Sequence, residues 1–177
     1  MTRDQLEHAI RAACDVAEDS EVWVFGSQAI LGEFPDAPEA LRASIEVDMQ
    51  PKNRPDKADL VDGALGEMSQ FHKTHDFYIH GLLIDSSAFP QGWQHRAIPV
   101  VDEISTRGKV GWCVEIHDLA ASKLAAYREK DRDFVRILLI EGMIAPETLI
   151  ERINLLNTDE ELRDRLLRWT QNTIEEL

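Results

Sequence analysis

Residues 44–50 constrain the fold of this chain more than any other segment. They read Ser-Ile-Glu-Val-Asp-Met-Gln and are followed by Pro51. Apolar residues alternate strictly with polar or acidic ones, which is typical of a β-strand that buries only one of its faces. Proline cannot donate to a strand ladder, so it is a natural end for such a segment. The segment therefore predicts a strand with Glu46 and Asp48 on the same face.

The rest of the chain alternates between helical and extended patterns. Residues 21–25 form a short β-branched and aromatic run that ends on Gly26. Helical spacing is found at 2–18, 57–70 and 117–143, after Pro146 and after Asp159, and further strands are predicted at 77–84, 96–104 and 109–116. This order predicts the α/β (α+β) class, with a mixed β-sheet flanked by helices and a helical C-terminal part. We expect residues 1–116 to form the α/β core and residues 117–177 to pack on it, making one compact unit.

Composition excludes several classes of protein. The net charge of −14 argues against a broad nucleic-acid-binding surface, and only residues 117–144 carry as many basic as acidic groups. No apolar run reaches about 18 residues, so no membrane span is expected. The polar N-terminus predicts a helix start rather than a signal peptide. Cys14 and Cys113 are expected to be buried thiols of a cytoplasmic protein.

Glu46 and Asp48 are the first candidate for chemistry. Residues two apart in a strand project from one face, about 7 Å apart along the backbone. Two carboxylates there repel each other unless a positive group lies between them, and Mg²⁺ prefers such oxygen ligands. The alternative is that both acids face solvent on an edge strand, while Ile45 and Val47 point inward.

The second candidate is the Gly26-Ser27 turn, which lies about 20 residues before the acidic strand. A strand that ends in Gly-Ser and opens a helix offers backbone N–H groups and a hydroxyl to an anion. The alternative is that Ser27 is an ordinary helix N-cap.

The third candidate lies in residues 117–143, where one long helix is predicted. On a helical wheel, Lys123, Tyr127, Lys130 and Asp131 fall on the apolar side of this helix. Charges on a side that packs inward need a partner or a ligand. Two interpretations stay open, a structural ion pair between Lys123 and Asp131, or a lysine that reaches the phosphates of a bound nucleotide.

The sequence lacks the motifs of the commonest enzyme classes. It has no nucleophile elbow, no phosphate-loop lysine motif, no dinucleotide-binding glycine fingerprint and no HExxH. His72 and His75 are more simply a surface pair than a metal site, and Trp93 is expected to anchor a loop.

Taken together, these segments resemble the nucleotidyltransferase superfamily related to DNA polymerase β. The similarity is closest to the AbiEii/MenT-like toxins and the DUF6036-type bacterial nucleotidyltransferases. It spans roughly residues 20–145. The matching positions are Gly26-Ser27, the pair Glu46 and Asp48, the segment Pro90-Gln91-Gly92-Trp93-Gln94-His95-Arg96, and Asp118-Leu119, Ser122-Lys123-Leu124, Arg128, Lys130-Asp131 and Phe134-Val135.

The resemblance implies a site for a nucleoside triphosphate and Mg²⁺. Gly26 and Ser27 would hold the triphosphate, Glu46 and Asp48 would bind Mg²⁺, Lys123 would contact phosphate, and Asp131 would support Lys123 or the metal site. The chain departs from the family in having Glu46 as the first acid. It also has His80 where a third acid is expected, and Asp85 lies five residues further on.

The resemblance also implies an activity and a class of partner. The expected activity is Mg²⁺-dependent transfer of NMP from NTP to an RNA end, such as a tRNA acceptor, or to a protein hydroxyl. A toxin–antitoxin or phage-defence role with a basic antitoxin partner would accompany it. The alternative is a degenerate domain that binds nucleotide or a partner protein without turnover.

Overall fold

The computed structural model describes residues 1–177, and its regular elements follow the predicted order with a few corrections. The strands are β1 (Glu21–Phe25), β2 (Glu46–Pro51), β3 (Tyr78–Gly81), β4 (Ile98–Val100) and β5 (Val110–Cys113). The helices are α1 (Arg3–Ala17), α2 (Ala58–Leu65), α3 (Gln70–His75), α4 (Ile116–Ala126), α5 (Glu129–Ile140), α6 (Pro146–Asn154) and α7 (Glu160–Glu175). The predicted strand at residues 77–84 is shorter than expected, and the helix predicted at 57–70 ends at Leu65.

The five strands form one mixed sheet in the order β3-β2-β1-β5-β4. β1 pairs antiparallel with β2 and parallel with β5, β2 pairs parallel with β3, and β4 pairs antiparallel with β5. A mixed sheet with flanking helices and a helical C-terminal part confirms the predicted α/β class.

One face of the sheet is buried under α1 and α2. Two glycines show how closely these helices approach the strands. A Cβ on Gly111 of β5 would lie 2.4 Å from Ile10 Cδ1 of α1, and a Cβ on Gly81 of β3 would lie 2.3 Å from the Ala58 carbonyl oxygen of α2. The fully buried residues on this face are Val22, Val24, Val47, Met49, Ile79 and Cys113. Strand alternation therefore places the polar residues of β2 and β3 on the other, partly exposed face.

The chain divides into two compact units. The first consists of Met1–Ser86 and Ala97–Glu115 and contains the sheet with α1 to α3. The second consists of Ser87–Arg96 and Ile116–Leu177 and contains α4 to α7. Its apolar core includes Leu119, Leu124, Leu138, Leu149, Ile153 and Leu166.

A buried acid stabilises the second unit. The side chain of Asp118 is fully buried and accepts hydrogen bonds from Arg96 at 2.7 and 2.9 Å, while Arg152 Nε lies 3.2 Å from it. Trp93 is buried and its ring lies 5.0 Å from that of Phe89, so it anchors its loop as predicted. The Gly92-to-Arg96 segment is thus tied to the start of α4 by a charge pair.

The prediction of one long helix over residues 117–143 is wrong. α4 ends at Ala126, and α5 begins after Arg128, whose backbone is extended (ψ 156°). Tyr127 between them has φ 52°, a left-handed conformation that costs a non-glycine residue about 1–2 kcal/mol. The guanidinium groups of Arg132 and Arg165 lie 4.7 and 4.3 Å from the tyrosine ring centre, and these contacts offset that cost.

Candidate metal centre

Three potential metal ligands meet on the partly exposed face of the sheet. Asp48 on β2 is directly opposite His80 on β3, and Glu46 is opposite Tyr78. Because Val47 and Ile79 point into the core, their neighbours along the strands must point the other way. The side chains of Glu46, Asp48 and His80 remain 37%, 23% and 43% exposed, so an ion or a ligand has access to them.

The ligand atoms of these residues lie close together. His80 Nδ1 is 3.3 Å from Glu46 Oε1 and 3.1 Å from Asp48 Oδ1, and one atom from each residue lies within 4.8 Å of the others. The Tyr78 hydroxyl donates a 2.7 Å hydrogen bond to the second oxygen of Glu46. This bond orients Oε1 toward His80.

The electrostatics of the cluster favour a cation between the two carboxyl groups. Burial and the neighbouring Glu46 carboxylate raise the pKa of Asp48 to about 7. Burial also acts against ionisation of Glu46, but hydrogen bonds from Tyr78 and Asp48 outweigh it and lower the pKa of Glu46. Without a cation, the two acids therefore hold one proton between them through part of the neutral range.

Protonated His80 supplies part of the positive charge that offsets the carboxylates of Glu46 and Asp48. Burial opposes its protonation, but the carboxylates of Asp48 and Glu46 outweigh that effect and raise the pKa of His80. A metal ion would replace this proton, since a histidine that binds a metal does so as neutral imidazole.

Gly26 forms the other wall of the cluster. Phe25, the last residue of β1, is opposite Asp48, and the chain turns away at Gly26 with φ 66°. A Cβ on Gly26 would lie 2.0 Å from Asp48 Oδ2, so only glycine permits this approach of backbone to carboxylate.

Ser27 follows Gly26 as the first residue of a 3₁₀ helix (Ser27–Gly32), not of an α-helix. The N-cap position is Gly26, which makes no side-chain cap bond, so Ser27 is not the cap that the simpler interpretation required. Gln28 is fully buried and donates from Nε2 to the Ser44 carbonyl oxygen at 3.1 Å. It thereby tethers the segment that leads into β2.

Lys123 and Asp131 lie in the second unit and form an ion pair of 3.6 Å. Asp131 is buried and also accepts from Arg128 Nε at 2.6 Å, while Lys123 Nζ lies 4.4 Å from the centre of the Phe134 ring. The structural ion pair left open by the sequence is therefore present. It joins α4 to α5 and is not a pair on one helix. A role for Lys123 toward phosphate stays a prediction.

The structure brings Glu46 and Asp48 together beside Gly26, and it adds two residues that the sequence did not assign to the site. His80 was noted only as a departure from a family pattern, and Tyr78 was not considered. Tyr78 and His80 alternate with buried residues along β3, and this pattern could have marked them as sharing one face. Only the pairing register shows that they lie opposite Glu46 and Asp48 of β2. Asp85 lies outside the cluster, in a 3₁₀ turn (Ile84–Ser86).

The remaining histidines have other contacts. His72 Nδ1 accepts from the backbone N–H of Met68 at 3.0 Å, and the ring of His75 packs 4.5 Å from that of His8.

Comparison with known protein families, with curated proteins and with solved structures finds no match for this chain. None of the helices has the length and apolar character needed to cross a membrane.

Proposed function

We propose that this protein is a divalent-cation-dependent nucleotidyltransferase that moves NMP from an NTP to a hydroxyl acceptor. The observation that carries the proposal is the convergence of Glu46, Asp48 and His80 at one point beside the Gly26 turn. Partly exposed carboxylates leave coordination positions for phosphate oxygens, as a triphosphate-binding site requires. Mg²⁺ is the cation that the sequence resemblance implies.

The residues of the first unit have distinct parts in this proposal. Glu46 and Asp48 would hold the cation, which would neutralise charge on the triphosphate. The Gly26-Ser27 turn would let the phosphates approach the backbone, because no side chain projects from Gly26. The acceptor oxygen forms a bond to the α-phosphorus, the bond from that phosphorus to the bridging oxygen breaks, and pyrophosphate leaves. The proton of the acceptor hydroxyl passes to solvent.

Lys123 enters the proposal through the resemblance, which implies that it contacts phosphate. Asp131 holds the ammonium group of Lys123 at 3.6 Å, and Lys123 is only 12% exposed. A lysine held in this way loses less side-chain entropy when it binds a phosphate. We expect Lys123→Ala to raise the KM for NTP more than it lowers kcat.

The acceptor and the partner follow from the resemblance and from the charge of the chain. A tRNA acceptor end or a protein hydroxyl is the proposed acceptor, within a toxin–antitoxin or phage-defence pair. A net charge of −14 fits a basic protein as the partner rather than an extended nucleic acid.

One observation favours a second function, nucleotide binding without turnover. His80 is neutral as a ligand, so the cluster carries one negative charge fewer than three carboxylates would carry. A site of this kind can still hold a metal–NTP complex, but its ligands supply less negative charge to balance the cation. Binding of the complex does not by itself produce catalysis.

The test is transfer of label from each α-labelled NTP, with a divalent cation, to total tRNA or to protein in a cell lysate. The proposal predicts a labelled macromolecule that is lost with Glu46→Gln and with Asp48→Asn. Glu103→Gln, in an exposed turn, is the matched control and should keep the activity. Cation-dependent NTP binding without labelling would favour the second function, and labelling that survives both site variants would refute the first.

A further inference from the structure

The candidate ligands on β2 and β3 differ in kind, and this bears on which cation they would suit. Two of the three ligand atoms are carboxylate oxygens and the third is the imidazole nitrogen His80 Nδ1. Mg²⁺ prefers oxygen ligands and retains several waters, whereas imidazole suits the later first-row transition metals.

We propose that Glu46, Asp48 and His80 together bind a transition-metal dication of the Mn²⁺-to-Zn²⁺ series in preference to Mg²⁺. This inference rests on the proposed function in that both use the same site, but it concerns the metal and not the reaction. It makes His80 a metal ligand rather than a neutral replacement for a lost acid.

The spacing of the ligand atoms fits a shared ion. At metal–ligand distances of about 2.1 Å, neighbouring ligands lie about 3.0 Å apart in an octahedral site and about 3.4 Å apart in a tetrahedral one. The separations of His80 Nδ1 from Asp48 Oδ1 and Glu46 Oε1 are 3.1 and 3.3 Å. Both separations match neighbouring ligands of one ion, so the imidazole nitrogen is placed to share a cation with the two carboxylates.

The ligands are also held in place by the sheet. Asp48 and His80 are paired across β2 and β3, so their separation is fixed by backbone hydrogen bonds rather than by flexible loops. The Tyr78 hydroxyl fixes the Glu46 carboxylate, and such outer contacts orient ligands in metal sites. Gly26 closes the side of Asp48 that faces β1.

Two details distinguish this site from a cluster of surface acids. The Nδ1 atom of His80 points between the carboxylates of Glu46 and Asp48 and not toward solvent, since it contacts both of them. The remaining exposure of His80, 43%, leaves space on the outer side for water or phosphate ligands. The set thus provides one nitrogen and two oxygens, with open positions on the outer side.

The test combines binding and spectroscopy on the full chain with the metals alone. Calorimetry should give Mn²⁺, Co²⁺ and Zn²⁺ affinities at least about tenfold above that of Mg²⁺, with Co²⁺ above Mn²⁺. Pulsed electron paramagnetic resonance of bound Mn²⁺ should show coupling to a ¹⁴N nucleus. His80→Ala should remove this coupling and lower the Mn²⁺ affinity at least about tenfold, whereas His80→Asp should narrow the difference between the Mn²⁺ and Mg²⁺ affinities.

His95→Ala is the matched control, because His95 is exposed and lies in the second unit, and it should change neither the affinity nor the coupling. Circular dichroism and thermal unfolding establish that each variant is folded. Bound Mn²⁺ without ¹⁴N coupling, or equal affinities for Mg²⁺ and Mn²⁺, would overturn the inference.

The outcomes separate this inference from the proposed function. Transfer of NMP by the wild-type chain, together with equal affinities for Mg²⁺ and Mn²⁺, would refute the metal preference while leaving nucleotidyl transfer in place. Nitrogen-coupled Mn²⁺ binding with no transfer under any of the four cations would support the metal site and refute the transferase.

Discussion

Replacing Gly26 with alanine tests whether the turn after β1 and the acid on β2 form one site. The new Cβ would lie 2.0 Å from Asp48 Oδ2, and Gly26 has φ 66°. With ψ −169° as well, this backbone conformation is almost restricted to glycine and costs alanine about 1–3 kcal/mol. Relief of the overlap by displacing the carboxyl group adds about 1–3 kcal/mol. We therefore expect a loss of about 2–6 kcal/mol in the free energy of unfolding.

Gly108 provides a control for the cost of a positive φ without a steric overlap. It has φ 73° in the first unit, and a Cβ there would meet nothing within 4 Å. Gly108→Ala should therefore lose only the conformational part, about 1–2 kcal/mol. Urea unfolding followed by circular dichroism gives both free energies.

The same pair of variants separates folding from metal binding. In Gly26→Ala the Asp48 carboxyl group must move by about 1 Å, and a metal site tolerates about 0.5 Å of ligand displacement. The Mn²⁺ affinity should fall at least about tenfold in Gly26→Ala and stay unchanged in Gly108→Ala. Equal losses of stability in the two variants, together with an unchanged Mn²⁺ affinity, would refute a contact between the turn and the acid.

Three further predictions concern single side chains. Asp19 is buried; burial opposes its ionisation, but hydrogen bonds from Asn53 and neighbouring N–H groups outweigh it and lower its pKa. Ionised Asp19 therefore contributes fully to the free energy of unfolding above pH 3.8, its ordinary pKa, and this contribution is lost as the pH falls through the lower pKa of the folded state. Asp19→Ala should cost about 2–3 kcal/mol in urea unfolding at pH 7 and progressively less in acid. Asp118→Ala should cost about 3–5 kcal/mol in thermal unfolding because it removes the buried carboxylate that pairs with Arg96 and Arg152. The exposed Asp133→Ala should change little, and equal effects would contradict this. Tyr78→Phe should lower Mn²⁺ affinity about tenfold in calorimetry by releasing the Glu46 carboxylate, and unchanged affinity would contradict that role.

The parts of the fold that the sequence predicted are those that depend on local periodicity. β1, β2 and α1 were predicted nearly to their observed ends, because alternation and helical spacing are read within one segment. The acid pair Glu46 and Asp48 was found for the same reason. The pleat of a strand places residues i and i+2 on the same face, and this does not depend on the rest of the chain.

The parts that were missed depend on contacts between distant residues. His80 approaches Asp48 only through the register of β2 against β3, and no pattern within β3 specifies that register. The break at Tyr127 contradicts the helix propensity of the surrounding residues, and it is stabilised by Arg165 of α7. Lys123 and Asp131 were correctly identified as charges that need partners, but the corner between α4 and α5 brings them together.

The most direct test of this account is the position of bound metal in crystals grown with Mn²⁺ and measured near the manganese absorption edge. The account predicts an anomalous peak about 2.1–2.3 Å from Glu46 Oε1, Asp48 Oδ1 and His80 Nδ1 together. A peak bound by the two carboxylates with His80 turned away would contradict the proposed metal preference. Full Mn²⁺ binding in solution with no peak at these three residues would contradict the site itself.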